Sequence, residues 1–170
     1  MVVIQKKDEN IVCRRMDEAF GLYQEHGEAV LAMSGMQRLL DRYNSAIEHS
    51  QETVRQTGVA AACSLCAGKT GSCCFEEVET WYDPMLLLTN LLLTADLPRS
   101  RELPGQCFFL GKEGCRLRAR YSFCLNYFCP TLKIRLGSGV MNLTLAAVGQ
   151  ELAAGWELEQ ALYRWFKGKP

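Results

Sequence analysis

The distribution of cysteine constrains this chain more than any other feature of its sequence. Nine cysteines are present, and eight of them fall between residues 63 and 129. These eight are Cys63, Cys66, Cys73, Cys74, Cys107, Cys115, Cys124 and Cys129. Thiolates are nucleophilic and easily oxidised, so cysteines at this density require a chemical role. Three roles are available: disulfide bonds, a bound metal or metal cluster, and thiol redox chemistry.

Length and charge exclude several classes of partner. A chain of 170 residues corresponds to about one domain and can bury a core without covalent cross-links. Its formal net charge is zero, which gives it no overall attraction to nucleic acid or to an anionic membrane. The most apolar stretch, residues 85–93, is too short to span a bilayer. We therefore expect no nucleic acid and no membrane as a partner, while a protein partner stays open.

The N-terminal residues show no apolar signal segment, so the sequence predicts a cytoplasmic protein. Structural disulfides are rare in that reducing compartment. Clustered cysteines in such a protein therefore indicate metal binding or catalysis in preference to a disulfide framework.

The hydrophobic pattern predicts a mainly α fold, a single compact helical domain over residues 1–170 with cysteine-rich metal-binding loops. Residues 1–58 form an N-terminal helical region, in which Ser34 has the form of a helix-capping residue. Residues 60–130 form the cysteine-cluster core, with residues 63–74 expected to be a loop. Within this core, Asp83 and Pro84 have the pattern of an N-cap and first helical residue. Residues 138–168 are expected to form C-terminal helices separated at Gly155.

The spacing of the cysteines suits metal binding but leaves the number of sites open. Cys63 and Cys66 form a C-x-x-C motif, which can place two sulfurs on one ion or on neighbouring irons. The adjacent side chains of Cys73 and Cys74 tend to diverge, so they serve two sites, or one of them is not a direct ligand. Eight sulfurs suffice for two four-cysteine sites, or for one such site with four further thiols.

Two features favour an iron–sulfur cluster over zinc. Aromatic residues interleave with the second cysteine group and would shield a dry site: Phe108, Phe109, Tyr121, Phe123, Tyr127 and Phe128. Basic residues surround the middle of that group: Lys112, Arg116, Arg118 and Arg120. A cluster held by four thiolates is anionic, so its burial needs compensating charge or hydrogen bonds. A solvated basic face and an ordinary aromatic core would give the same pattern.

The motifs together resemble those of the CxxCxxCC-type cysteine-cluster family, described as a zinc- or iron-chelating domain. The matching residues are Cys63-x-x-Cys66 with Cys73-Cys74, then Cys107-F-F-L…G-Cys115, then Arg120-x-x-x-Cys124. They cover about residues 60–130. The gap between Cys66 and Cys73 is longer than the family's usual one, Tyr121 stands where the family has proline, and Cys129 lies outside the core pattern. The resemblance implies metal chelation by these cysteines with Arg120 beside the bound group, and for most members it implies no known reaction.

Three hypotheses follow. The first is an iron–sulfur protein, with a cluster of the 4Fe–4S type in a structural, electron-transfer or sensing role. The second is a zinc-binding structural or interaction domain with one or two four-cysteine sites. The third is a thiol redox or cluster-dependent enzyme, since C-x-x-C also occurs in redox sites. No catalytic residue is assigned, and the sequence favours a binding protein over an enzyme.

Overall fold

The computed structural model describes residues 2–70 and 73–168, and the side chains of residues 11–65 and 73–168. Its helices are α1 (Val2–Leu31), α2 (Met36–Gln56), α3 (Val59–Thr70), a 3₁₀-helix (Glu76–Trp81), α4 (Pro84–Leu92), α5 (Ser122–Asn126) and α6 (Pro130–Lys167). Strands β1 (Leu110–Gly111) and β2 (Gly114–Cys115) form an antiparallel hairpin in which Leu110 lies opposite Cys115. The predicted mainly α fold class is confirmed.

The larger core forms where α1 packs against α4 and α2 packs along α6. Helix α2 shows why the sequence predicts this arrangement. Its buried residues Met36, Leu40, Tyr43 and Ile47 recur at three- and four-residue spacing, so they lie on one face of the helix. None of the helices in the described ranges has the length and apolarity needed to cross a bilayer.

A second, smaller core joins α3, α5 and the first half of α6. Its buried members are Val59, Ala62, Leu125, Phe128, Leu132, Met141 and Val148. The prediction of a loop over residues 63–74 is therefore wrong for its first part, because α3 continues to Thr70. The run of alanines that precedes Cys63 has high helix propensity, and burial of Val59 and Ala62 fixes the helix against α6.

One predicted helix cap differs from the structure and another is confirmed. Helix α2 is capped by Gly35 without a side-chain hydrogen bond, so the predicted cap at Ser34 is wrong. Gly35 has a φ of 83°, a left-handed conformation that glycine adopts without strain. The N-cap at Asp83 is confirmed, since its Oδ1 accepts a hydrogen bond from the backbone N–H of Leu86 at 2.8 Å, with Pro84 in the first turn.

The sequence predicts a break at Gly155, but α6 is continuous through this residue. The interruption lies at Gly137, whose φ of 77° and ψ of 168° are not helical. Gly155 instead allows α6 to approach α2 closely, because a Cβ atom at this position would lie 3.0 Å from Cε2 and Cζ of Tyr43. Tyr43 is buried, so its ring has little room to move away.

We predict that Gly155→Ala lowers the free energy of unfolding by about 1–3 kcal/mol, because it overpacks the contact with Tyr43. Gly149→Ala is the matched control, since it lies on the same helix and nothing lies within 4 Å of its added Cβ atom. The control should raise the free energy of unfolding by up to about 1 kcal/mol through helix propensity. Urea denaturation measures both, and equal stabilisation by the two substitutions would contradict this packing.

Candidate metal centre

Four of the eight predicted ligands lie near enough for the charge of one to act on the pKa of another: Cys74, Cys107, Cys115 and Cys124. The backbone N–H of Cys107 donates to the carbonyl oxygen of Cys74 at 2.9 Å, which joins the two cysteine groups. Negative charge on Cys74 or Cys115 would raise the pKa of both Cys107 and Cys124. Cys74 acts in the same way on Cys115. The four thiols are therefore electrostatic neighbours, although up to 50 residues separate them in the chain.

Three of these thiols, Cys107, Cys115 and Cys124, lie in a desolvated environment. Burial raises the pKa of Cys107 from its ordinary value of 9.0 to about 12, and raises that of Cys124 to about 11. Desolvation also raises the pKa of Cys115, although the residue as a whole is exposed. Without a bound cation these three groups are protonated at neutral pH, and a metal would have to displace their protons.

Arg120 is the cation that acts on two thiols of this group. Its positive charge lowers the pKa of both Cys115 and Cys124 against the effect of burial. Arg116 also lowers the pKa of Cys115, whereas the guanidinium groups of Arg116 and Arg118 are hydrogen-bonded to other groups. Arg116 donates to the carbonyl oxygens of Ser100 and Phe108, at 2.8 and 2.6 Å, and Arg118 donates to Glu48 at 2.7 Å. Among these three arginines, Arg120 therefore has the surroundings that best suit the predicted charge compensation.

The hydroxyl of Tyr82 contacts the group directly. It donates to Sγ of Cys124 at 3.6 Å and accepts from the backbone N–H of Tyr121 at 3.2 Å. Tyr82 is buried, and burial raises its pKa, so the hydroxyl keeps its proton and remains a donor. Sequence reasoning missed this residue because nothing in the local pattern distinguishes a site tyrosine from a core tyrosine.

A buried carboxylate fixes the chain at Cys107. Both oxygens of Glu79 accept from Arg101, at 2.8 and 2.9 Å, and one of them also accepts from the backbone N–H of Phe108 at 2.6 Å. Glu79 is 1 % exposed, so this ion pair is shielded from solvent. The contact attaches the segment that carries Cys107 to the 3₁₀-helix, although Glu79 and Phe108 lie 29 positions apart.

A buried amide fixes the chain just before Arg120. The side chain of Asn90 donates to the carbonyl oxygens of Leu86 and Ala119, each at 3.0 Å. Its Oδ1 accepts from the backbone N–H groups of Arg118 and Ala119, at 2.8 and 2.9 Å. All the hydrogen-bonding capacity of this fully buried amide is used, so residues 118–119 are held against α4.

The aromatic side chains that interleave with the cysteines are not equally buried. Phe108 and Phe109 are in the larger core. Trp81 contacts the rings of Tyr121 and Phe123, with centroids 5.7 and 5.1 Å apart. Tyr127 stacks on Phe123 at 4.7 Å and remains 45 % exposed. These rings contact one another, and Tyr127 lies at the exposed edge of the group.

Of the other four predicted ligands, Cys129 has a different position from this group. Cys63 is exposed on α3, and Cys73 is exposed beside Cys74. The side chain of Cys66 lies outside the described residues. Cys129 caps α6, where its Sγ accepts from the backbone N–H of Leu132 at 3.4 Å, and it packs against the smaller core.

Among the residues with described side chains, no three His, Cys, Asp or Glu groups stand in an arrangement that could hold a metal ion. Comparisons with protein-family models, with curated proteins and with solved structures find no match. The membership of the cysteine-cluster family and the bound metal therefore stay predictions.

We predict that the metal-free protein loses stability as the pH rises from about 9 towards about 11. The unfolded thiols ionise near their ordinary value of 9.0, whereas those of Cys107 and Cys124 ionise only near pKa values of about 12 and 11. Between these values the unfolded state has lost protons that the folded state retains, so a rise in pH favours unfolding.

Urea denaturation of metal-free native protein and of Cys124→Ser at several pH values measures this effect. The variant should lose less stability per pH unit, because it lacks one of the raised thiols. Ionisation of Tyr43 is common to both proteins and cancels in the comparison. An identical pH dependence in the two proteins would show that Cys124 is not desolvated as described.

Proposed function

We propose that this protein binds a metal centre through Cys74, Cys107, Cys115 and Cys124, and that the centre is an iron–sulfur cluster of the 4Fe–4S type. The observation that carries the proposal is the mutual electrostatic influence of these four thiols, three of which are desolvated by burial. Their positions depend on buried polar contacts made by Glu79 and Asn90. The role of the centre is structural, electron-transferring or sensing.

The surroundings of the thiols fit an anionic cluster. Four thiolates carry more negative charge than the iron and sulfide of a cluster cancel, so the bound group needs nearby cations and hydrogen-bond donors. Arg120 favours the thiolate forms of Cys115 and Cys124. The hydroxyl of Tyr82 donates to the sulfur of Cys124. When bound, the cluster supplies one-electron redox chemistry, and the protein supplies its burial, charge compensation and ligands.

Zinc is the alternative occupant, because four cysteine thiolates are also a common ligand set for structural zinc. Its presence would make the domain a structural or interaction module. The third hypothesis, an enzyme, gains no support from the described residues around the four thiols. Either metal requires reduced thiols, and the proposal therefore requires a reducing compartment such as the cytoplasm.

The first test is the iron, zinc and acid-labile sulfide content of anaerobically purified protein and of single cysteine variants. Native protein should contain iron with sulfide, whereas zinc without sulfide would establish the alternative. Cys107→Ser and Cys124→Ser should lose most of the metal, because each removes a ligand. Cys13→Ser is the control, since Cys13 lies on α1 outside the cysteine group and its substitution should leave the metal content unchanged.

Cys63→Ser distinguishes a single site from the two sites that eight cysteines would allow. A single site made by the four neighbouring thiols predicts full metal content in this variant. Loss of about half the metal would place Cys63 in a second site. Unchanged metal content in both Cys107→Ser and Cys124→Ser would contradict the proposal itself.

A second prediction concerns Tyr82, whose hydroxyl supports Cys124. Tyr82→Phe should weaken metal affinity by about 10–100-fold, the usual effect of losing a hydrogen bond to a metal ligand. Tyr127→Phe is the matched control, because that hydroxyl belongs to a ring exposed at the edge of the same aromatic group. Competition with a chelator measures the affinity of each variant, and equal affinities would remove Tyr82 from the site.

A further inference from the structure

A cavity of about 500 Å³ lies beside the candidate metal centre and plays no part in ligating it. Residues of α2, α4, α6 and the segment 120–122 line it, among them Tyr43, Leu86, Arg120, Leu152, Trp156 and Glu159. Its volume is within the range of about 300–1,000 Å³ that is typical of small-molecule sites. Its lining combines an apolar wall with two side chains of opposite charge, which indicates the chemistry of an occupant.

Arg120 supplies the positive charge of the cavity. Its nearest ion pair is with Glu151, where Nη2 lies 3.8 Å from Oε2, beyond hydrogen-bond distance. Its Nε is buried and has no hydrogen-bond partner within the described part of the chain. A guanidinium has five N–H donors in a planar fork that matches a carboxylate, and the Arg120 side chain is 22 % exposed and lines the cavity, so its terminal nitrogens can donate to a bound carboxylate.

Glu159 supplies the negative charge. Its carboxylate is partly buried, and the charge of Asp83 acts on it unfavourably, so burial and repulsion together raise its pKa. Burial and the charges of the same two carboxylates, Asp83 and Glu159, also raise the pKa of Tyr163. A cation held at Glu159 would relieve this repulsion, and an ammonium group of a ligand supplies one.

The remaining wall suits an apolar group. Leu86, Leu152 and Ala153 line the cavity together with Trp156. Trp156 is 61 % exposed, and covering its indole with an apolar side chain would remove a large hydrophobic surface from water.

We propose that this cavity binds a zwitterionic amino acid with an apolar side chain. The carboxylate of the ligand pairs with Arg120, its ammonium group pairs with Glu159, and its side chain packs against Leu152 and Trp156. This site does not depend on metal at the cysteine group, so either proposal can fail without the other.

Isothermal titration calorimetry with L-phenylalanine as the probe tests the site on the full chain. We compare it with 3-phenylpropionate, which lacks the ammonium group, and with phenethylamine, which lacks the carboxylate. L-Phenylalanine should bind saturably, and each analogue should bind about tenfold more weakly or worse, because each forfeits one charged pair. Equal affinities for the three compounds, or no saturable binding of L-phenylalanine, would overturn the proposal.

Two variants assign the charged contacts. Glu159→Gln should weaken binding of L-phenylalanine and leave that of 3-phenylpropionate unchanged. Arg120→Lys should weaken the binding of both ligands that carry a carboxylate, L-phenylalanine and 3-phenylpropionate. It should leave the affinity for phenethylamine unchanged. Glu157→Gln is the control, because Glu157 lies on the same helix, pairs with Arg42 and is not among the residues that line the cavity.

Circular dichroism and metal analysis of every sample separate loss of the ligand site from loss of the fold or of the metal. If Arg120→Lys does not fold, the Glu159→Gln series decides alone, since this substitution preserves the shape of the side chain. Unchanged affinity for L-phenylalanine in folded Glu159→Gln would remove the ammonium site and with it the proposal.

Discussion

The carboxylate of Glu79 accepts three hydrogen bonds while almost completely buried, two from Arg101 and one from the backbone of Phe108. A buried charge is tolerated only when its partners remain in place, so the irregular chain around Cys107 cannot move without losing this compensation. The buried amide of Asn90 holds residues 118–119 in a similar way, because its oxygen would lose its hydrogen bonds if these residues moved. The hairpin that carries Cys115 lies between these two anchors, and Cys124 follows the second. The grouping of the thiols therefore depends on two side chains that are not cysteines.

The helical part of this structure could be predicted from the sequence because its signals are local. The spacing of Met36, Leu40, Tyr43 and Ile47 defines the buried face of α2, and Asp83 with Pro84 marks the start of α4. The anchors could not be predicted in the same way. Glu79 and Arg101 are 22 residues apart, and glutamate and arginine are also the commonest components of a solvated surface.

The candidate site could be predicted only in part, for a related reason. Cysteine spacing identified the residue types and favoured metal, but it could not decide which cysteines share a site. Cys129 follows Cys124 by five positions, yet the turn after α5 places it in the smaller core at the start of α6. Cys74 is far from Cys124 in sequence and is nevertheless its electrostatic neighbour. Arg120 was predicted from the motif, whereas its position between the thiols and a cavity required the tertiary structure.

X-ray absorption spectroscopy at the metal edge of the purified protein shows whether four cysteine sulfurs hold the metal. Ligation by these cysteines predicts an all-sulfur first coordination shell, with metal–sulfur distances of about 2.3 Å if the metal is zinc. In Cys124→Ser, the remaining metal should have lost a sulfur ligand. A first shell dominated by nitrogen or oxygen in the native protein would contradict the account.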